Sequence, residues 1–249
     1  MGSGPILIMP VAKKSPKRQR KTIRIRLGKI LFDVFLAFLA LTVVPVLIYA
    51  VTNPATTPLL WIRWAENDQS DRYTRVIKHW VPVERISPHL IKAVVSAEDQ
   101  KFFQHNGFDW QAIESAIKVN LTSKRTIGAS TISMQTSRNV FLWQGRNFLR
   151  KGLESYFTVL IENLWSKKRI LEVYLNVIEW GKGIYGCEAA SRYYFNHSAK
   201  TLSPVEAAWL AAILPSPRRW SIRRPQTHVV NRHARILNNM THVRIPRLG

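Results

Sequence analysis

The sequence predicts an all-α (mainly α) protein in which one membrane-spanning helix precedes a helical domain. Residues 30–51 form an apolar run that only Asp33 and Pro45 interrupt. From Ser87 onward, apolar residues recur at the three- and four-residue spacing of one helix face. No segment shows the period-two alternation of a half-buried strand, and no internal repeat is present.

The apolar run is long enough to cross a bilayer. At about 1.5 Å of rise per residue it spans about 33 Å, against about 30 Å of hydrocarbon. The alternative is a secretory signal peptide, whose apolar part has about 7–15 residues before a small-residue cleavage site. Ala50-Val51-Thr52 fits such a site poorly, so a retained helix is predicted. The preceding residues, 1–29, contain nine Lys or Arg and no acid, which predicts a cytoplasmic basic tail and an exported remainder.

The formal net charge of +22 invites a nucleic-acid interpretation. Much of that charge lies before the apolar run, and no zinc-ligand spacing or basic region with heptads accompanies it. We therefore expect an anionic membrane or a phosphate-bearing substrate as partner, and no nucleic acid. Cys187 is the one cysteine, which excludes an intramolecular disulfide and a thiolate metal site.

The exported part begins with a segment, residues 52–84, that we expect to be an irregular stalk near the lipid headgroups. Four aromatic residues favour that position: Trp61, Trp64, Tyr73 and Trp80. Helix starts are predicted afterwards from capping residues: Ser87, Asp109, Ser130, Asn147, Ser166 and Ser203. The first of these helices is expected to run to about Gly107, the one after Ser166 to Gly181, and the last 30 residues to follow the surface.

Glu98 is the most informative residue. It lies at helical spacing from Ile91, Val94, Val95 and Phe102, so its carboxylate is centred on an apolar face. A desolvated carboxylate has a raised pKa, which suits proton transfer. The spacing alone allows a buried Glu–Arg pair equally well.

The residues around Glu98 resemble the first motif of the family 51 glycosyltransferases. These are the peptidoglycan polymerases, which occur as monofunctional biosynthetic transglycosylases or as the glycosyltransferase module of class A penicillin-binding proteins. Five motifs occur in the family's order. They are EDQKFFQHNGFD (98–109), GASTISMQTSRN (128–139), RKGLE (150–154), KRILEVYLN (168–176) and RHARIL (232–237).

The resemblance implies a lysozyme-like, two-lobed glycosyltransferase domain at residues 85–240, with a C-terminal tail at 241–249. It implies polymerisation of lipid II into β-1,4-linked glycan strands, with release of polyprenyl diphosphate, at the outer side of the bacterial inner membrane. Glu98 and Glu154 would be catalytic. Implied substrate or pyrophosphate ligands are Ser130, Thr131, Gln135, Arg138, Arg150, Lys151 and Asn176, and implied supporting residues are Asp99, Phe102, His105, Gly107 and Asp109.

Two residues depart from the family pattern. Met134 stands where the family usually has Gln, and Arg138 where it usually has Lys. Arg keeps the positive charge and binds phosphate oxygens in a fork, which a lysine ammonium does not. Thr131, Gln135 and Arg138 share one face at spacings of four and three, so we expect them to point into one cleft.

Simpler structural roles stay open for several of these residues. Arg150 and Glu154 are spaced as an ordinary helix pair, Ser130 as an N-cap, and His105 and Asp109 as shapers of a turn. Arg232 and Arg235 are either solvated charges or substrate ligands. An apolar cluster rimmed with Arg138, Arg146 and Arg150 is either buried core or, as the resemblance implies, a mobile lobe dipping into the membrane. The cluster consists of Phe141, Leu142, Trp143, Phe148 and Leu149.

Three other functions compete with polymerisation. A lysozyme-like lytic enzyme also uses a helix-borne Glu, an inactive scaffold of the cell-wall machinery would explain Met134 and Arg138, and a membrane-tethered nucleic-acid binder would explain the charge. We expect no obligatory cofactor and no metal site of the protein's own; Mg or Mn would bind only with the substrate pyrophosphate. The expected partners are lipid II, the lipid-linked glycan chain and inner-membrane lipids, with penicillin-binding and cell-division proteins as candidates.

Overall fold

The computed structural model describes residues 16–67, 76–123, 127–145 and 147–246, with side chains described from residue 26 onward. Its α-helices are α1 (Pro16–Val51), α2 (Pro58–Asn67), α3 (Pro88–Glu98), α4 (Trp110–Thr122), α5 (Ile132–Phe141), α6 (Phe148–Leu164), α7 (Lys167–Val177), α8 (Cys187–Phe195), α9 (Pro204–Ile213) and α10 (Thr227–Asn239). The predicted all-α class is confirmed.

One small sheet accompanies these helices in the described ranges. Its strands are β1 (Ile77–Lys78), β2 (Glu179–Gly181) and β3 (Ile184–Tyr185), in the order β1-β3-β2. β1 is parallel to β3, and β2 is antiparallel to it. Strands of two or three residues are too short to show alternation, so the sequence did not predict them. The predicted helix end at Gly181 is wrong. α7 ends at Val177, and residues 179–181 form the short strand β2, which the sequence pattern did not reveal.

The chain forms two compact units that divide after Pro45. The described part of the first unit is a single helix, α1, whose segment Arg26–Val51 is long and apolar enough to cross a membrane. The helix begins at Pro16. Residues 16–29 are therefore helical and continuous with the apolar run, whereas residues 1–15 of the predicted basic tail lie outside the described residues.

In the second unit, residues 46–51, the last turn of α1, are built into the domain. The Val46 side chain is fully buried, and the Trp165 indole N–H donates to the Val46 carbonyl at 2.8 Å. Arg169 Nε donates to the Tyr49 carbonyl at 3.0 Å, and its Nη2 to the Thr52 carbonyl. The last four carbonyls of a helix have no partners within it, and Tyr49 is among these four residues of α1, so Arg169 satisfies one of these free carbonyls.

The predicted irregular stalk contains a helix. α2 buries Leu59 and exposes Trp61 and Trp64, whose rings meet edge-on at 6.3 Å. The Lys78 ammonium donates to the carbonyls of Pro54 and Ala55, which fixes the connection before α2. Tyr73 lies outside the described residues. The exposed indoles keep the surface character that the sequence predicts for this segment.

The core of the second unit joins two groups of helices. α3 packs against α9 and α10, and α5 packs against α6 and α7. α9 begins after the predicted Ser203 cap and is largely buried. It has the full capping box of Ser203 and Glu206, and its Ala207, Ala208 and Ala211 are fully buried. These small side chains let the α3 backbone approach closely.

Three other helices differ from their predictions. α3 begins at the predicted Ser87 cap but ends at Glu98, because the Asp99 carboxylate accepts hydrogen bonds from outside the helix and its backbone leaves helical geometry. α4 has the predicted Asp109 cap, but two apolar residues at the spacing of one helix face, Ile117 and Leu121, are exposed, although such spacing predicts a buried face. The C-terminal end is not merely a surface segment, since α10 buries Val229 and Ile236.

We predict opposite stability changes for alanine at two glycines. Gly107 has a φ of +92°, and an added Cβ would lie 2.8 Å from the buried Thr158 side chain. Gly107→Ala should therefore lower the free energy of unfolding by at least about 1–2 kcal/mol, the usual cost of a left-handed backbone. Gly152, inside α6, has open space around its Cα, and alanine there should add about 0.5–1 kcal/mol. Denaturant unfolding in detergent measures both, and equal effects would contradict this account.

Candidate active site

The Glu98 carboxylate is the centre of the candidate site, at the last residue of α3. Its Oε2 accepts a hydrogen bond from Gln135 Nε2 of α5 at 3.0 Å. Its Oε1 accepts one from Arg232 Nη2 of α10 at 2.8 Å. Three helices that are distant in sequence therefore meet at one carboxylate, and the two alternatives left open by spacing, a desolvated base and a Glu–Arg pair, are both present.

Burial dominates the electrostatics of this carboxylate. The Glu98 side chain is 14% exposed, and burial raises its pKa above the usual value. The hydrogen bond from Gln135 and the positive charges of Arg232 and Arg138 act in the opposite direction. The Tyr174 hydroxyl nearby has a strongly raised pKa through burial and the Glu98 charge, so it stays a neutral hydrogen-bond donor.

Asp99 joins the first motif to the second. It is buried and accepts a hydrogen bond from His105 Nε2 at 2.9 Å and one from the Ile132 amide at 3.0 Å. His105 Nδ1 accepts from the Gly107 amide, which places the ring proton on Nε2. The predicted supporting residues thus shape the turn after α3, where Phe102 is fully buried and Asp109 caps α4.

The start of α5 differs from the prediction. Thr131, rather than Ser130, is the N-cap, because its hydroxyl accepts from the Met134 amide. The same hydroxyl donates to the Gly107 carbonyl at 2.6 Å, and the residue is 3% exposed. Thr131 therefore positions the loop between the motifs and does not share an open face with Arg138, while Ser130 is partly exposed beside it.

Gln135 orients Glu98. Its amide nitrogen donates to the carboxylate, and its amide oxygen accepts from the Tyr174 hydroxyl at 3.1 Å. These two hydrogen bonds, from Tyr174 to Gln135 and from Gln135 to Glu98, fix which end of the Gln135 amide faces the carboxylate. This arrangement differs from the expected role of Gln135 as a direct pyrophosphate ligand.

The two departures from the family pattern lie in different surroundings. Met134 is buried, so that substitution changes packing and does not present a different group to solvent. Arg138 is close enough to lower the pKa of Glu98 by its charge. Within the described part of the chain its buried Nε has no hydrogen-bond partner. The residue is half-buried, and in the ranges that the structure describes it lacks the carboxylate partner that Arg150 and Arg232 have, so its charge is suited to an anionic ligand.

Arg150, Lys151 and Glu154 form one ion cluster on α6, which Asn147 caps. The Glu154 carboxylate, 1% exposed, accepts from Arg150 Nη1 on one oxygen and from Lys151 Nζ on the other. Arg150 and Glu154 are the predicted helix pair, but both are buried, unlike an ordinary surface pair. The Lys151 side chain is 44% exposed and is the member that reaches solvent.

Asn176, predicted from the resemblance to be a substrate ligand, makes structural contacts, and its substrate role stays a prediction. It has no exposed surface. Its Oδ1 accepts from the Val81 amide, and its Nδ2 donates to the carbonyls of Val81 and Glu172. The side chain joins α7 to the segment before α3, and every polar atom of its amide has a protein partner.

The predicted apolar cluster divides into two parts. Phe141 stacks on Phe157 at 4.7 Å, and Leu142 is buried, so both belong to the core. Phe148 and Leu149 are 98% and 71% exposed, and Trp143 is partly exposed. Arg146 lies outside the described residues. The membrane-lobe interpretation therefore applies only to the exposed part.

The contact between Arg232 and Glu98 is the feature that sequence reasoning largely missed, because the two residues are 134 positions apart. A signal was present: Arg232 lies between Val229 and Ile236 at helical spacing, so it is a charge on an apolar face, as Glu98 is. Among the described residues no group of three or more His, Cys, Asp or Glu side chains is placed to hold a metal ion.

Comparison with known proteins shows the family of this chain. The family model described as Transglycosylase matches residues 66–241. A biosynthetic peptidoglycan transglycosylase of Bdellovibrio bacteriovorus is 54% identical over 195 residues, covering 78% of each chain. Proteins of the same name from Caulobacter vibrioides and Mannheimia succiniciproducens are each 46% identical, over 86% and 90% of this chain and 91% of their own. The chain belongs to the transglycosylase family.

Proposed function

We propose that this protein is a membrane-anchored peptidoglycan glycosyltransferase that polymerises lipid II into β-1,4-linked glycan strands. The observation that carries the proposal is the Glu98 carboxylate, which is buried, oriented by Gln135 and placed near the Arg138 charge. A base beside a cation that is not fully paired suits a reaction in which a hydroxyl loses a proton while an anionic group departs. The family and its named relatives support this substrate class.

In the proposed reaction, Glu98 accepts the proton of a sugar hydroxyl on one lipid-linked disaccharide. The hydroxyl oxygen forms a bond to the anomeric carbon of the lipid-linked growing chain. The bond from that carbon to the pyrophosphate oxygen breaks, and polyprenyl diphosphate leaves with the electron pair. We assign Arg138, on α5, and Lys151, on α6, to the charge that develops on the leaving group.

We assign Glu154 an indirect part in this chemistry. Its carboxylate holds Arg150 and Lys151, and a buried carboxylate between two cations fixes their geometry before substrate arrives. A hydrolase of the lysozyme type has no need of such cations, because its leaving group is a sugar hydroxyl that an acid protonates. The ion cluster therefore favours transfer from a pyrophosphate over hydrolysis.

We further propose that α1 spans the bacterial inner membrane, with the N-terminus in the cytoplasm and the catalytic domain, residues 85–240, outside. The basic residues before the span support this orientation. The exposed Trp61 and Trp64, ten and thirteen residues after the span ends at Val51, suit a position at the headgroups. The exposed Phe148 and Leu149 suit contact with acyl chains or with the polyprenyl part of the substrate.

We predict that Glu98→Gln abolishes polymer formation. Loss of a general base lowers turnover by about 10²–10⁴-fold, and the amide keeps the volume of the side chain. The measurement incubates the full-length protein in detergent with labelled lipid II and separates polymer from substrate. Glu114→Gln, at a surface glutamate paired only with exposed Lys118, is the matched control and should keep native turnover. Polymer formation by folded Glu98→Gln at the native rate would refute the assignment.

We predict that Arg138→Ala lowers kcat/KM by about 10²–10³-fold, the usual effect of removing one group that stabilises developing charge. Arg138→Lys, which restores the residue usual in the family, should remain within about tenfold of the native chain because the charge is retained. Steady-state rates over a lipid II titration measure both. Equal losses in the two variants would show that the forked guanidinium, and not the charge, is required. Native rates in Arg138→Ala would exclude Arg138 from the leaving-group site.

A further inference from the structure

We infer that Arg232 is a positioning residue for the base: α10 holds its guanidinium against Glu98, which keeps the carboxylate ionised and directs its free lone pairs toward the acceptor hydroxyl. This inference rests on the proposed function, in which Glu98 accepts a proton. It assigns a role to Arg232 of the fifth motif, residues 232–237. The sequence alone left a solvated charge and a substrate ligand as alternatives for this residue.

The contacts of Arg232 are specific to the end of α3. One nitrogen, Nη2, donates to Glu98 Oε1 at 2.8 Å and to the Ala97 carbonyl at 3.3 Å. A single guanidinium nitrogen thus contacts both the carboxylate and the last turn of the helix that carries it. With Gln135 on the other oxygen, the plane of the carboxylate is defined from two sides.

The rest of α10 fixes the place of the guanidinium. Val229 and Ile236, three before and four after Arg232, are buried in the core. His233 stacks on Trp209 of α9 with ring centroids 4.0 Å apart and donates to the Val205 carbonyl. Arg232 is therefore carried on the packed face of a docked helix, whereas Arg235 on the same helix is exposed.

Four charged or titratable groups lie near Glu98. Arg138 approaches from α5 and Arg232 from α10, both positive. Tyr174 of α7 is neutral, and Asp99, the next residue in the chain, is occupied by His105 and the Ile132 amide. Arg232 is the cation in direct contact with the carboxylate, at a site where both side chains are at most one quarter exposed. An opposite charge at this distance stabilises the ionised form strongly when water is largely excluded.

The inference predicts a change in pH dependence that a merely structural arginine would not cause. A base must be ionised to work, so polymerisation falls as the pH drops through the pKa of Glu98. Removing the adjacent cation raises that pKa, and the acid limb of the pH–rate profile moves upward by about one unit or more. At a fixed pH on that limb, a shift of one unit is a tenfold loss of rate.

The experiment measures pH–rate profiles of lipid II polymerisation for the full-length native chain, Arg232→Gln, Arg232→Lys and Arg235→Gln. We expect the acid limb to move upward in Arg232→Gln, to stay near the native position in Arg232→Lys, and to be unchanged in Arg235→Gln. A native profile in Arg232→Gln overturns the inference. Loss of rate at every pH with an unmoved acid limb and a lowered melting temperature also overturns it, because Arg232 would then only hold α10 in place.

A second measurement separates this inference from the proposed function. Infrared pH titration follows the protonated carboxyl band of Glu98, identified as the difference between the native chain and Glu98→Gln, and needs no substrate. We expect this band to appear at higher pH in Arg232→Gln than in the native chain. If the native chain forms no polymer, the proposed function fails, and an unmoved band then overturns the Arg232–Glu98 coupling as well, whereas a moved band upholds that coupling.

Discussion

The arrangement of the helices around the candidate active site depends on one constraint: the Glu98 carboxylate is buried and must still have hydrogen-bond donors. A buried carboxylate is costly unless donors surround it, and Glu98 has two, delivered by helices α5 and α10 that begin 34 and 129 residues further along the chain. Placing those donors requires α5 to pack on α7, where Tyr174 orients Gln135, and α10 to pack on α9. The packing that buries the apolar faces of α5 and α10 therefore also supplies the two donors that this carboxylate needs.

Residues of the same type have different roles here because their surroundings differ. Arg138, Arg150 and Arg232 are all partly or fully buried, yet Arg150 is held by Glu154 and Arg232 by Glu98, while Arg138 has no ion pair among the described residues. A cation already matched by a carboxylate gains little from a second anion, whereas an incompletely matched one gains much. This difference, and not the number of basic residues, is the reason for the proposed assignment of Arg138 to the leaving group.

The sequence was informative where the cause of a structure is local. The predicted caps at Ser87, Asp109 and Ser203, and the predicted helix starts near Asn147 and after Ser166, depend on a few adjacent residues, and the structure confirms each of them. Asn176 and Arg232 depend on contacts with residues 95 and 134 positions away, which no local pattern encodes. The end of α3 depends on Asp99 finding His105 and Ile132, so periodicity placed it too late. The family resemblance brought the motifs together without showing which of their side chains are buried.

The last turn of α1 has a consequence for how the domain can be separated from its anchor. Hydropathy places the boundary after Val51, but the carbonyls of Val46 and Tyr49 bind Trp165 and Arg169, and Val46 is wholly buried in the core. A soluble fragment that begins after Val51 would lose residues 46–51. The apolar surface that buries Val46 would be exposed, and the Trp165 indole N–H and Arg169 Nε would lose their acceptors. A cut just before Val46 would retain residues 46–51, so the end of the apolar run is better regarded as the first helix of the domain.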